Sequence, residues 1–334
     1  MRLEHLSLSE WDEALPAEGI GVFHTAEALS VLDDHTGGDL VLLGGFNGDR
    51  PVALLPLFVR SLPAGTVVTS PPPGKNVPRL GPVLMPASPK ARKREQLNRE
   101  FAEEVVDEMA LDRPLTLFRM TCRPEFDDPR PYGWTDMDVG VDFTYRLDLS
   151  DATPDDLLAA ASKSLRREVG DGAELDVTVE REGVEAARRV YEATRERYEA
   201  QGVSMPTEWP YVRDLVRALD ERARVYVVRS DDGEFLTGIT VLYSPSEAYF
   251  WQGGGLTVHD GVAVNSLLHW RILEDVHADP PTETVRRYDL YGANTPRLCE
   301  YKSKFGGELV PYYSVDTGGL PMALAERAYE LGVR

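Results

Sequence analysis

The sequence predicts a two-domain α/β (α+β) protein of mixed, mostly antiparallel sheets flanked by helices. Its 334 residues exceed what one hydrophobic core ordinarily serves. Apolar residues make up 42%, enough for two cores and too many for a disordered chain. Helix-period and strand-period segments alternate in both halves, with a proline-broken stretch between them.

The first half opens with a strand expected over 2–6 and a helix over 25–35. Leu40 to Phe46 and Val52 to Val59 flank Asn47-Gly48-Asp49, and Asn-Gly between two apolar runs predicts a hairpin. Ser70-Pro-Pro-Pro-Gly-Lys75 continues neither strand nor helix and reads as a loop. A long helix is expected from Ser88 as N-cap and Pro89 at its first position, with Leu97, Phe101, Val105 and Met109 on one face. Pro114 to Met120 reads as a buried strand.

Pro124, Pro129 and Pro131 interrupt the chain before a strand at 143–149. We therefore expect domains over 1–142 and 143–315, and a terminal helix over 316–334 packing back on the first. Thr153-Pro154-Asp155-Asp156 is a capped helix start with acids at the positive dipole end. A second short helix carries Lys163, Arg166 and Arg167, and a strand covers 175–179. A helix over 183–201 shows Val184, Ala187, Tyr191, Thr194 and Tyr198 on one face. After a helix over 211–219, strands at 224–228, 235–242 and 248–252 form a meander. A helix with Val264, Leu268, Ile272 and Val276 in register and a strand over 287–291 follow.

Charge narrows the function classes. The net charge is -20, from 56 acidic and 36 basic residues. Six of the basic residues are lysines, leaving 30 arginines. Such a surface repels nucleic acid phosphates, so no DNA partner is expected. Lysine-poor, acid-rich surfaces suit molar salt, where the Debye length falls to about 3 Å at 1 M; a salt-adapted, haloarchaeal type is the expectation. No apolar run approaches the ~20 residues of a membrane span, and the N-terminus lacks a signal peptide's basic and apolar regions. Cys122 and Cys299 lack metal-ligand spacing, so no metal is expected. The chain reads as cytoplasmic, with its oligomeric state open.

Four segments of the second half carry a resemblance. They are Ser162-Lys163-Ser-Leu-Arg166-Arg167-Glu-Val169; Tyr191-Glu-Ala-Thr194-Arg-Glu-Arg197-Tyr198 before Gly202; and Ala248-Tyr-Phe-Trp251-Gln252-Gly253-Gly-Gly255 leading to Asn265 and to Leu268-His269-Trp270. The fourth is Tyr288-Asp289-Leu-Tyr-Gly-Ala293, then Leu298-Cys-Glu-Tyr301-Lys302-Ser-Lys-Phe-Gly306-Gly307. Together they resemble the FemAB aminoacyltransferases and their relatives, including the BioF2-like acetyltransferase domain. The element order of the second half is that of a GNAT-type acyltransferase domain, and the first half has a cruder version. The resemblance implies tandem GNAT-like domains that transfer an aminoacyl or acyl group to an amine. It implies no bound cofactor, with acyl-CoA or aminoacyl-tRNA as donor co-substrate. The acceptor would be a small molecule or a glycan or peptide precursor, with charged tRNA as a further partner. A non-catalytic GNAT-fold binding protein is the alternative.

By that resemblance Tyr301 and Lys302 fall near the reacting carbonyl. Lys302 would stabilise the oxyanion of a tetrahedral intermediate, a contribution of about 3–4 kcal/mol in a dry site; otherwise it is a surface lysine on a short helix. Arg197 with Tyr198 would fork onto a phosphate or carboxylate, or pair with Glu196 or Glu199. Lys163 and Arg166 would draw an anionic substrate, or pair with nearby acids. Trp251, Gln252 and Gly253 end a strand where glycines admit a ligand to main-chain N–H groups, or merely turn. Asp289 and Asn294 would orient the amine, unless Asp289 pairs with Arg287.

Overall fold

The computed structural model describes residues 1–319 apart from Thr257 and Glu283. The terminal helix expected over 316–334 lies, beyond Gly319, outside the described residues. The described residues divide into two compact units, 1–142 with 311–319 and 143–310.

In the first unit, β1 (Arg2–His5) leads to α1 (Leu8–Ala14), which Ser7 and Glu10 cap reciprocally. Thr25 caps α2 (Ala26–His35). The predicted hairpin is β2 (Asp39–Asn47) and β3 (Arg50–Leu62), followed by β4 (Gly65–Ser70) and the short β5 (Val83–Leu84). α3 (Ala91–Glu108) begins two residues later than expected. The Ser88 hydroxyl accepts from Lys90 N at 3.3 Å in a local turn instead of capping a helix, and Lys90 stands at the N-cap. Leu97, Phe101 and Val105 face inward as their spacing requires. β6 (Thr116–Thr121) pairs parallel with β4 and antiparallel with residues 314–316. α4 (Arg130–Gly133) closes the unit.

β7 (Asp138–Asp148) carries the chain into the second unit. Thr153 and Asp156 form the expected capping box of α5 (Pro154–Ala160), and α6 (Lys163–Ala173) follows. Next come β8 (Val177–Glu182), α7 (Val184–Ala200), α8 (Trp209–Leu219), β9 (Ala223–Ser230), β10 (Phe235–Tyr243) and β11 (Glu247–Gly255). α9 (Val264–Ala278), β12 (Arg287–Asp289), α10 (Pro296–Lys302) and β13 (Glu308–Asp316) follow among the described residues. β11, β10, β9 and β8 pair antiparallel in that order; β12 joins β11 in parallel and β7 antiparallel.

One face of this sheet packs Ile239, Val241 and Ala248 against Leu165 of α6 and Leu268 and Ile272 of α9. Truncating one such leucine to alanine costs about 2–5 kcal/mol. α7 lies on the other face, where Gly254 lets its backbone close in: a Cβ at Gly254 would meet Thr194 N at 2.4 Å. β12 is two residues shorter than expected. Tyr291 and Gly292 take the left-handed conformation, at φ 60° and 55°, and no strand continues through such a turn.

Candidate active site

The left-handed turn at the end of β12 is held from two sides. Asp289, wholly buried, accepts from Tyr291 N at 2.8 Å and from the Thr144 hydroxyl at 2.7 Å. Lys302, at the end of α10, donates its ammonium to the carbonyls of Tyr291 and of Gly292, the latter at 2.8 Å. It also lies 5.6 Å from the Tyr291 ring centroid. Lys302 does sit on a short helix, but it is 5% exposed and so is no surface lysine. α10 starts on a Thr295 cap with Pro296 at its first position, which aims its last turn at the 291–292 carbonyls.

Behind the turn is a buried ionic network that the sequence did not disclose. Arg146 of β7 donates through Nε to Asp289 at 3.2 Å and lies 2.8 Å from Glu247 of β11. Asp289 thus pairs with Arg146. Thr144 and Arg146 share one face of β7 by strand alternation, the single local signal for this arrangement. Asn294 accepts from Phe143 N at 2.8 Å, tying the residues after the turn to β7.

Tyr301 enters an aromatic cluster with Phe305 and His269, at ring separations of 5.6 and 6.1 Å. Burial raises its phenol pKa, so the hydroxyl stays protonated at any ordinary pH. His269 packs on Phe250 and shares a hydrogen bond of 3.1 Å with the Tyr288 hydroxyl. Burial, with the Lys302 charge beside it, pushes its imidazole down to about 3. His269 lies in the third segment of the resemblance, but its burial and neutrality come from packing among apolar neighbours on α9, which its position in the sequence does not announce. Lys304 pairs with Glu168 at 3.1 Å, and Glu168 accepts from Ser266 at 2.6 Å. Gly306 and Gly307 let the chain leave this region tightly: added Cβ atoms would meet the carbonyl oxygens of Ala160 and Arg146, each at 2.7 Å.

The glycines after Gln252 remain in β11 instead of turning; Gly253 pairs with Ile239 and Gly254 with Gly238. Trp251 is the extra residue of a bulge, since Gln252 opposes Thr240 while Phe250 opposes Val241. The cationic candidates are dispersed. Arg166 donates to the Ala159 and Ala161 carbonyls at the end of α5, and Lys163 is exposed. Arg197 is exposed overall and, among the described residues, has no carboxylate at ion-pair distance; Glu199 pairs with Arg195. Desolvation around its guanidinium lowers its pKa, Tyr198 opposing and Arg297 reinforcing the shift.

An open cavity of about 370 Å³ lies between α6, β8 and α9, and none of these candidates lines it. No cluster of His, Cys, Asp and Glu suited to a metal, and no helix long and apolar enough to cross a membrane, occurs among the described residues.

Residues 159–303 match the family model described as an acetyltransferase (GNAT) domain. No curated protein matches. Among solved structures, FemX is similar at a TM-score of 0.71 and 12% identity, over 98% of this chain and 100% of that one. The C-terminal domain (DUF2156) of a putative lysylphosphatidylglycerol synthetase from Agrobacterium fabrum gives 0.56 and 15%, over 96% of each chain. A tandem GNAT protein from the clavulanic acid biosynthesis pathway gives 0.51 and 16%, over 96% of this chain and 100% of that one. The turn, the buried lysine and the bulged strand thus belong to a chain with the GNAT fold, a mixed and mostly antiparallel sheet flanked by helices.

Proposed function

We propose that this protein transfers an acyl or aminoacyl group to an amine of a small-molecule, sugar or peptide precursor, with Lys302 stabilising the oxyanion. The observation that carries the reading is the buried Lys302 ammonium fixed at the Tyr291–Gly292 turn. It lies within the stretch matched by the GNAT domain model. A cation held in a dry site by backbone carbonyls needs no reorganisation when negative charge develops beside it.

In the reaction, the neutral amine attacks the carbonyl carbon of a thioester or ester. The C–N bond forms, and the carbonyl oxygen takes the electron pair as an oxyanion. Collapse re-forms the carbonyl and expels the thiolate or alkoxide, which takes up through water the proton that the amine nitrogen releases. Tyr301, which burial keeps protonated and makes a weaker acid, is suited to donate a hydrogen bond at the reacting carbonyl but not to give up its proton. His269 is not suited to take the amine's proton, because its imidazolium does not persist above about pH 3. Arg197 and Arg297 offer a cationic spot for a substrate phosphate or carboxylate. The donor is acyl-CoA or aminoacyl-tRNA. A salt-adapted, cytoplasmic setting and a cell-envelope precursor as acceptor complete the reading.

One observation favours a non-catalytic binding protein instead: two N–H bonds of Lys302 are already engaged by carbonyls, as in a purely structural staple. Thermal unfolding in molar KCl against acyl-CoAs, aminoacyl-tRNAs and UDP-sugars identifies the donor, since a bound ligand raises the midpoint. Lys302→Met is then expected to lower turnover on that donor by about 100-fold or more while binding persists. Turnover unchanged in a folded Lys302→Met protein would refute the proposal.

A further inference from the structure

The face of the second unit's sheet that carries α7 holds an unmatched pair of polar side chains. Thr240 of β10 stands opposite Gln252 of β11. Cβ atoms of opposed residues lie about 4.5–5.5 Å apart and on one face. Ile239 and Val241 belong to the core on the α9 side, so alternation turns Thr240 toward α7. Gly238, two residues earlier, confirms that face: a Cβ there would meet Val190 of α7 at 2.5 Å. Beyond the rung on the other side, Trp251 meets Tyr211 of α8 edge-on, with centroids 6.2 Å apart.

Gln252 is 3% exposed and Thr240 0%. Among the described residues, neither end of the Gln252 amide nor the Thr240 hydroxyl has a hydrogen-bond partner. Unmatched polar atoms at this depth destabilise a fold, and apolar side chains of the same shape would remove the penalty. The strand that carries Gln252 also leads to the proposed reaction centre. Tyr249, on the same strand, meets Tyr291 edge-on at 5.5 Å, and the Tyr291 carbonyl accepts from Lys302.

A primary amide presents a donor and an acceptor side by side, and its natural complement is another amide. We infer that the Thr240–Gln252 rung is a substrate subsite that reads an amide group. The ligand carbonyl accepts from Gln252 Nε2, the ligand N–H donates to Oε1, and the Thr240 hydroxyl takes the remaining lone pair or proton. The substrate class is therefore a molecule with a secondary amide or carboxamide near the transferred group. A CoA-type donor arm, an N-acetylated sugar and a peptide all offer that chemistry. The inference rests on the acyl-transfer reading, but its readout is binding, which requires no turnover.

The test uses the full chain in molar KCl, comparing wild type with Gln252→Met and Thr240→Val by calorimetric titration and thermal unfolding. The probes are acetyl-CoA, UDP-N-acetylglucosamine and N-acetyl-alanyl-alaninamide, with UDP-glucose as the sugar nucleotide lacking the amide. Methionine matches the glutamine in volume without its polar end. Gln252→Met is expected to unfold at or above the wild-type temperature and to bind at least one amide probe about tenfold more weakly. Any UDP-glucose binding should be unchanged. The probe that weakens identifies the source: the donor arm, the sugar or the peptide. Three results would each overturn the inference: equal affinity of the variant and wild type for every probe that binds, no amide probe binding wild type, or a Gln252→Met protein that melts well below wild type. The last would mean that the amide is satisfied inside the protein. Loss of turnover in Lys302→Met leaves these outcomes untouched, so the two readings fail separately.

Discussion

Replacing Asp289 with asparagine tests whether the network behind the β12 turn holds the site together. Asp289 is fully buried and accepts from the Thr144 hydroxyl, Tyr291 N and Arg146 Nε. Asparagine can still accept the first two bonds through its carbonyl oxygen. Its NH2 then faces the Arg146 Nε–H, so one charge-assisted bond is lost and two donors oppose each other. A hydrogen bond to a charged group contributes about 1.5–3 kcal/mol. Breaking a whole buried ion pair costs about 3–5 kcal/mol. Because Glu247 still lies 2.8 Å from Arg146, the expected loss falls between these limits, at about 2–4 kcal/mol. Arg146→Met should cost more, since it leaves the Asp289 and Glu247 carboxylates buried without their guanidinium. Urea unfolding followed by tryptophan fluorescence in molar KCl measures both, provided the slope is unchanged. An asparagine variant within about 0.5 kcal/mol of wild type, or a methionine variant more stable than it, would refute the account.

Three further outcomes follow from the structure. Gly254→Ala should destabilise by about 1–3 kcal/mol, because its Cβ would meet the α7 backbone at 2.4 Å; a neutral result in chemical denaturation would show that α7 yields. His269 is neutral in the fold down to about pH 3, whereas a free imidazole protonates near 6.5. The unfolded chain therefore binds the extra proton first, so stability is full above about pH 6.5 and falls as pH drops toward 3, by an order of 4 kcal/mol from this residue. His269→Gln should flatten that part of a stability-pH profile, and an unaltered slope would refute the burial argument. Finally, a net charge of -20 makes the melting temperature rise with KCl, as the Debye length shrinks from about 10 Å at 0.1 M to about 3 Å at 1 M. A midpoint unaffected by salt in calorimetry would remove the case for salt adaptation.

Much of the fold was legible because it rests on local chemistry. Asn47-Gly48 turns a hairpin, Thr153 with Asp156 caps a helix, and the four-residue spacing of Leu97, Phe101 and Val105 buries one helix face. Even the errors were local: Ser88 had a competing turn available, and two left-handed residues ended β12 early. Lys302, one of six lysines, was legible through the aromatic-Lys segment that carries the family resemblance.

The environment of that lysine was not legible. Its carbonyl partners lie 10 and 11 residues away and face it only because Tyr291 and Gly292 are left-handed, a conformation that tyrosine rarely adopts. Arg146 meets Asp289 across 143 residues, and Thr240 meets Gln252 through a bulge that no composition announces. The sequence by itself determined the elements, their order and the class of fold, because caps, turns and periodicity act over a few residues. Only tertiary structure decided which charges are buried, which are paired and which polar groups are left unmatched. Burial and pairing depend on atoms brought together from distant positions, and the free energy of a charge or an amide is set by those neighbours.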